Sequence, residues 1–536
     1  MIYINRFFFN TLNRLRKYYL QSNLYDRKIS KVKNSNFEYK PSPHLLSSLI
    51  KYQKKKFRIE DFSLNEIWND TKINQKEFKN LNNFYWFFSL DLKSSKKTVQ
   101  DIILNWINTN SKYNFRSWDF DLTSKRIIAW LSCHNLTYAE SDKNYKDIFH
   151  NLIKKQTNHL IYETNKSQLI DDKLIGCAAI ILVGLCFKDE KKYLTYGLSL
   201  LKKISKFTLD DFGFPKSRNI KQLIFYLKYF ILIREWFKES QINIPDHIDE
   251  TIYYLGQNYI LLSKDVATNF LFNGNNISDN DNFNNYLKRF GYKFKNQNFE
   301  VGNYIVLKNN KINLVMDVGS TPNLKYTKDY QAGALSFEII SKGKKLISNC
   351  GYYKKQNTNL NKLSKSSAAH STLIIDDNSS CKFTKNNNFW VVKKGLKIIK
   401  KNVIFEKNYW KINASHDGYL KKYNTIHERE IEFYPEQLTF LGIDKIIKKK
   451  TNHNYKFDIR FHLEPGVKLM KTQNNETILI ELEDEGWKFT CEKYDINIDN
   501  GLYFGNKNLY TENQNIFISG ISNNQIENIR WQIKKI

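Results

Sequence analysis

The chain has 536 residues, a formal net charge of +30, 41% hydrophobic residues and 15% aromatic residues. It is too long for one ordinary core and too rich in apolar side chains for disorder, so two large domains or three smaller ones are expected. Its six cysteines lie far apart with no CxxC pair, which excludes a zinc ribbon and a disulfide scaffold and suits a reducing compartment.

The excess of positive charge favours polyanionic partners: nucleic acid, an anionic membrane surface or an acidic polysaccharide. The lysines are scattered among Asn, Ile and Tyr, which also fits general compositional drift. No stacked aromatic-basic motif or recognition helix supports nucleic acid. No run of 18 or more apolar residues predicts a transmembrane helix. The opening stretch, MIYINRFFFNTLNRLRKYYL, lacks the basic–apolar–small order of a signal peptide. Residues 1–40 read as a basic amphipathic helix or extension that packs on the domain or makes peripheral contact with a membrane. The corresponding location is cytoplasmic or membrane-peripheral, with the periplasm left open.

From 41 to 285 apolar residues recur at helical spacing. In TVQDIILNWINTN, Val99, Ile102, Ile103, Trp106 and Ile107 share a face. In LTSKRIIAWLSCHNL, Leu122, Ile127, Trp130 and Leu131 do the same. LIGCAAIILVGLCF and IKQLIFYLKYFILIREWF read as buried helices. Ten or more helices joined by short polar loops suggest a layered or toroidal helical domain. The polar stretch from Asn273 to Tyr292 reads as the joint. From 286 to 536 the period becomes two. NYIVLKNNKINLVMDVG reads strand, Asn-Asn turn, strand, and LSFEIISKGKKLISNCG reads as a hairpin across Lys342-Gly343. TILIELEDEGWKFTCE and IFISGISNNQIENIRWQIKKI repeat the theme. The predicted class is α+β with two domains, helices first and an antiparallel β-sandwich second.

One short stretch stands out. In KSSAAHSTLIIDD, a run of small residues leads to His370 at the mouth of an apolar strand, with Ser371 and Thr372 placed to orient its ring.

The pieces LNNFYWFFSLDL, SWDFDLTSKRIIAWL, DDFGFPKSRN, FLFNGN, AGALSFEIISKGKKLISNCG, AAHSTLIIDD, HDGYLKKYNTIHERE, RFHLEPGV and EGWKF, in that order, resemble the heparinase II/III-like family. The resemblance runs from about residue 78 to the end and is closest to bacterial members with no obvious signal peptide. It implies an (α/α) toroid followed by a β-sandwich. It also implies a polysaccharide lyase that removes the C5 proton of a uronate and expels the C4-linked sugar, in a cleft between the domains. The implied partner is an anionic polysaccharide. His370 matches the family's sandwich histidine and is the catalytic candidate.

Several family positions are changed. Near the toroid's Asn-His pair stand Asp171 and Asp172, which repel a substrate carboxylate. Asn158 and His159 look like the pair but lie about a dozen residues away from its place. Gln222 stands near the family's tyrosine, with Tyr226 closest. Gln331 and Gly333 replace a His-x-His-x-Asp motif. A non-catalytic glycan-binding relative is therefore the alternative reading. Arg126, Arg218, Asn219 and Tyr419 are the substrate-binding candidates. Arg126 reads either as a carboxylate-binding cation or as a buried ion-pair partner. No cofactor is required. A structural zinc on His416, Asp376 and His427 is the weak metal expectation, with hydrogen-bonded turn residues as the alternative, and His462 reads as structural.

Overall fold

A computed structural model describes residues 14–32, 36–47, 49, 68, 73–167, 169–263, 270–276, 281–355, 358–386, 389–449, 453–473, 476–506 and 510–536. The chain forms two compact units. One comprises residues 1–208, 225–253 and 282–291, and the other 209–224, 254–281 and 292–536. The helix-to-sheet change is therefore not a single cut. Two segments from the helical half of the sequence, 209–224 and 254–281, are grouped with the sandwich.

The first unit is helical. Lys96–Asn110, Phe120–Ser132, Lys143–Glu163, Ile170–Cys186 and Lys191–Thr208 are its long helices. The first buries the predicted stripe of Val99, Ile102, Ile103, Trp106 and Ile107, and Ser95 caps its start by accepting from Thr98 N–H. Residues 174–186 are all buried, as an all-apolar helix requires. Gly184 lets that helix approach its neighbour, since a Cβ there would lie 2.5 Å from the Leu194 backbone. Trp130 sits edge-on to Trp106 at 5.6 Å and Phe84 at 5.1 Å, an arrangement that suits ring quadrupoles.

Near the N-terminus, residues 14–21 and Asn23–Ile29 are helical. They are tied to Lys143–Glu163 by Arg16–Glu163, by Asp26–Lys155 at 2.7 Å and by a bond between Tyr25 Oη and His159 Nδ1 at 2.7 Å. Leu15, Tyr18 and Leu24 stay exposed. Residues 1–13 of the expected extension lie outside the described residues. Among the described residues, no helix is long and apolar enough to cross a membrane.

The second unit is built of antiparallel sheets. Five strands run in the order Glu300–Val301, Tyr304–Lys308, Ile312–Asp317, Phe337–Ser341, Lys344–Ile347. Eight strands run Lys468–Lys471, Thr477–Leu482, Glu485–Cys491, Ile526–Lys535, Thr439–Lys448, Thr425–Tyr434, Trp410–His416, Ile398–Phe405. Four more run Ile496–Tyr503, Thr511–Ser522, Tyr455–His462, Leu373–Ile375. One apolar core joins these three sheets, with Leu314, Phe337, Ile412, Phe433, Phe461, Ile518 and Trp531 among its members, and Lys382–Asn386 pairs with Phe389–Lys394 in a separate two-stranded sheet.

The Lys342-Gly343 turn forms as expected. Both residues have positive φ, 46° and 83°, and Ser341 pairs with Lys344. Two expectations need correction. Thr511–Ser522 and Ile526–Lys535 do not pair with each other; the first joins the four-stranded sheet and the second the eight-stranded one. In the stretch read as a polar joint, residues 277–280 lie outside the described residues, and Asp281–Arg289 is a helix that buries Phe283, Tyr286 and Leu287 on one face.

Candidate functional site

The loop that carries DDFGFPKSRN is fixed by its own first acid. Asp210 Oδ1 accepts from the N–H groups of Phe212 (3.0 Å) and Phe214 (2.7 Å), and Leu209 bridges to Pro215. Gly213 has φ of 73°, and a Cβ there would collide with Tyr254. The loop then presents Arg218, itself at φ of 61°, a left-handed conformation that costs a non-glycine residue energy.

Arg218 is 4% exposed. Its Nη2 pairs with Asp317 Oδ1 at 2.6 Å and donates to the Asn303 carbonyl, and its Nε donates to the Gly302 carbonyl. The guanidinium stacks on the Tyr304 ring at 4.7 Å. Gly319 makes this possible, because a Cβ there would lie 2.1 Å from Arg218 Cζ. Burial disfavours the charge, but Asp317 more than offsets this and raises the pKa further. The partners are locked in turn. Asn273 Nδ2 donates to Tyr304 Oη (2.6 Å) and to Asp317 Oδ2 (3.2 Å), while Tyr304 Oη donates to the Arg218 carbonyl. Among the described residues, Arg218 Nη1 has no hydrogen-bond partner. The residue lines a cavity of about 240 Å³ with Asp210, Lys216, Asn303, Ser320 and Tyr326. A rigid cation beside a cavity, with one nitrogen left over, is of the type that suits a carboxylate.

Asn273 Oδ1 accepts from Gln331 N–H, and Gln331 Oε1 accepts from Gly274 N–H. The Gln331 amide also donates to the Gly351 and Ser364 carbonyls. The residue in place of a family histidine is thus a buried tie. Two positions on, Gly333 leaves room for His370, since a Cβ would lie 2.5 Å from the ring.

His370 is 1% exposed. Its Nδ1 lies 2.8 Å from the Ser366 carbonyl, so Nδ1 carries the proton and Nε2 holds a lone pair. Nε2 has no partner. Burial lowers the pKa to about 4, against the pull of the Ser366 carbonyl. The expected orienters do other work: Ser371 Oγ donates to the Ser348 carbonyl and Thr372 Oγ1 to the Ala334 carbonyl.

Arg126, Asn219 and Tyr419, expected to bind substrate, are committed to contacts within the protein. Arg126 is fully buried in the helical unit. It donates to the carbonyls of Asn82 and Ser117, to Gln156 Oε1 and to Thr123 Oγ1, and stacks on Trp106 at 4.1 Å. It is not a surface cation, it has no ion-pair partner among the described residues, and burial lowers its pKa. Asn219 spends its side-chain oxygen capping the helix Ile220–Glu239, accepting from Lys221 and Gln222 N–H. Tyr419 is buried and donates to the Leu373 carbonyl. Gln222 accepts from Ser217 Oγ at 2.6 Å. Asn158 and His159 bind Ile29, Tyr193, Tyr25 and Trp118, and form no substrate pair. Asp172 has its pKa raised to about 6, first by burial and then by Asp121. His462 is buried, with Nδ1 3.3 Å from Cys350 Sγ and Nε2 2.9 Å from the Ala368 carbonyl.

The zinc set does not assemble. His416 Nδ1 accepts from Gly418 N–H, its Nε2 faces His427 Nδ1 at 3.3 Å, and His427 Nε2 meets Asp444 Oδ1 at 2.7 Å. Asp444 is also gripped by Arg429 through both oxygens and by Trp531 Nε1. Burial works the other way, yet Arg429 and His427 hold its carboxyl far below the usual range. Asp376 sits in a turn, bonded to Lys456 N–H. Every nitrogen of the pair is thus engaged in a hydrogen-bonded relay. Among the described residues, no group of three or more His, Cys, Asp or Glu is arranged to hold a metal.

Residues 294–532 match the family model Heparinase II/III-like, C-terminal. Residues 294–532 are a heparinase II/III-like C-terminal domain. The heparinase II/III-like fold extends over both units. A heparinase III structure superimposes with a TM-score of 0.70 at 14% identity, covering 90% of this chain and 81% of its own. A second heparinase III gives 0.68 at 14% identity, covering 96% and 89%. A heparan sulfate lyase from Pedobacter heparinus gives 0.66 at 15%, covering 96% and 87%. No curated protein matches the chain. The helical toroid-type domain followed by an antiparallel sandwich is the observed class.

Proposed function

We propose that this chain recognises an acidic, uronate-containing polysaccharide, with Arg218 as the cation that meets the uronate carboxylate. The carrying observation is the buried guanidinium clamped by Asp317, in a residue that lines a cavity and whose Nη1 has no partner among the described residues. Such a group is already desolvated and oriented, so a carboxylate gains a charge-assisted bond at little ordering cost. The names of the similar structures, heparinase III and heparan sulfate lyase, support the same substrate class. The test is calorimetric titration of the whole chain with oligomers from a panel of uronate polymers. Binding weakened more than about tenfold by Arg218→Gln supports the reading. Equal binding by the variant sinks it.

A second reading, β-elimination, is favoured by one observation: the orphaned Nε2 lone pair of His370. In that reaction Nε2 takes the C5 proton and the C–H electrons form the C4–C5 double bond. The C4–O bond breaks as that double bond forms, its electron pair leaving with the oxygen, which gains a proton from water. The burial of the ring opposes it. Appearance of unsaturated-uronate absorbance, abolished by His370→Ala with binding retained, selects elimination. Binding without product leaves recognition alone.

A further inference from the structure

The two N-terminal helices, residues 14–21 and Asn23–Ile29, are held in place by one side. Leu20, Tyr25 and Ile29 are buried, Arg16 pairs with Glu163, and Asp26 pairs with Lys155. The other side faces outward. Tyr18 and Leu24 are each 73% exposed and Leu15 60%. Among them stand Arg14, Lys17, Arg27, Lys28 and Lys31, all exposed. The loop of residues 111–116 joins this face. Lys17 Nζ lies 5.4 Å from the centre of the Phe115 ring, and Lys112 Nζ donates to Asn23 Oδ1 at 3.4 Å. Phe115 is 54% exposed, and Lys112 and Arg116 are exposed beside it. Tyr162 completes the patch, with Lys28 Nζ 4.7 Å from its ring. In residues 14–31 and 111–116 the one acid is Asp26, which Lys155 already pairs.

An occupant has to match cations and apolar side chains together. A soluble polyanion meets the cations but gains nothing from Leu15, Tyr18, Leu24 and Phe115. A second copy of the patch meets the apolar side chains but sets cation against cation. An anionic bilayer meets both. Its phosphates attract lysine and arginine, and its interface takes in leucine and aromatic side chains to a depth of about 5–10 Å. Tyrosine, apolar along the ring and polar at its tip, suits that boundary. The helices are already fixed to Lys143–Glu163, so the patch is presented at little ordering cost.

We propose that this face rests on an anionic phospholipid bilayer, with Leu15, Tyr18, Leu24 and Phe115 in the interface and the surrounding lysines and arginines on lipid phosphate. It uses none of the residues assigned to glycan recognition.

The test is flotation of the whole chain with vesicles of phosphatidylcholine, alone or with about a third phosphatidylglycerol. The anionic vesicles should bind at least about tenfold more tightly, and salt raised from about 0.1 to 0.5 M should weaken that binding severalfold. Arg14→Gln with Arg27→Gln and Lys28→Gln should weaken it on the order of 100-fold, since each cation near such a surface contributes about a factor of five. Leu15→Ser with Tyr18→Ser and Leu24→Ser should weaken it more than about tenfold and leave binding to heparin, a soluble polyanion, unchanged. No preference for anionic vesicles, or a preference untouched by either triple variant, overturns the proposal. So does loss with the charge variant alone, which makes the patch a site for soluble polyanions. A dimer that the apolar variant dissolves also overturns it, because the patch is then a contact between copies. The side chains replaced are all exposed, and melting curves check that the variants keep the fold.

Discussion

Each unit buries an arginine, and the two are held in opposite ways. Arg126 in the helical unit meets only neutral acceptors. Arg218 in the sandwich unit has a carboxylate at 2.6 Å and one nitrogen to spare. In the first case burial lowers the pKa; in the second the neighbouring charge outweighs burial. A buried arginine is thus informative only when its donors are counted. One whose nitrogens all have partners locks helices together, and one with a nitrogen left over beside a cavity has bonding capacity for a ligand.

The comparison breaks first on stability. Arg126→Ala strands the carbonyls of Asn82 and Ser117 and empties the space over Trp106, and should cost on the order of 4 kcal/mol in denaturant melts. A loss below about 1 kcal/mol would contradict the locking role. Next, Arg218→Gln alone leaves Asp317 buried and uncompensated, at about 3 kcal/mol. Adding Asp317→Asn should restore most of that stability but none of the glycan binding. Recovery of binding in the double variant would show that the charge is dispensable. Gly319→Ala sharpens the contrast, since its Cβ would lie 2.1 Å from Arg218 Cζ. It should reduce binding about tenfold with Arg126 untouched, at a stability cost of about 1–3 kcal/mol. The smallest effect concerns pH. His370 has a folded pKa of about 4 against an ordinary 6.5, so the unfolded chain takes up its proton first as pH falls. The stability held above 6.5 is lost progressively between about 6.5 and 4, roughly 1 kcal/mol of it from pH 7 to 5.5. His370→Gln should flatten that part of the profile; an unchanged slope would place the ring in water.

Hairpins were readable where the turn chemistry was local, as at Lys342-Gly343, because both strands and the turn sit in one window. Sheet membership was not, because Thr511–Ser522 and Ile526–Lys535 carry the same alternation and part only through distant partners. The helix Asp281–Arg289 was hidden by its asparagines, although Phe283, Tyr286 and Leu287 already stood at helical spacing. Arg218 was visible in KSRN. Its clamp was not, since Asp317 lies 99 residues away and Asn273 and Tyr304 come from other segments. The one local hint was Asp317 followed two residues later by glycine. Asn219 and Tyr419 were attractive as polar groups beside motifs, but a sequence does not show that a cap or a carbonyl has already claimed them.

The strand Ile526–Lys535 lies in the middle of the eight-stranded sheet, between Glu485–Cys491 and Thr439–Lys448. Until residue 535 has left the ribosome, the sheet exists as two separate pieces with facing unpaired edges. Its closure is a contact of long sequence separation that waits for residues 526–535, and until they arrive the nascent chain carries two adhesive edges.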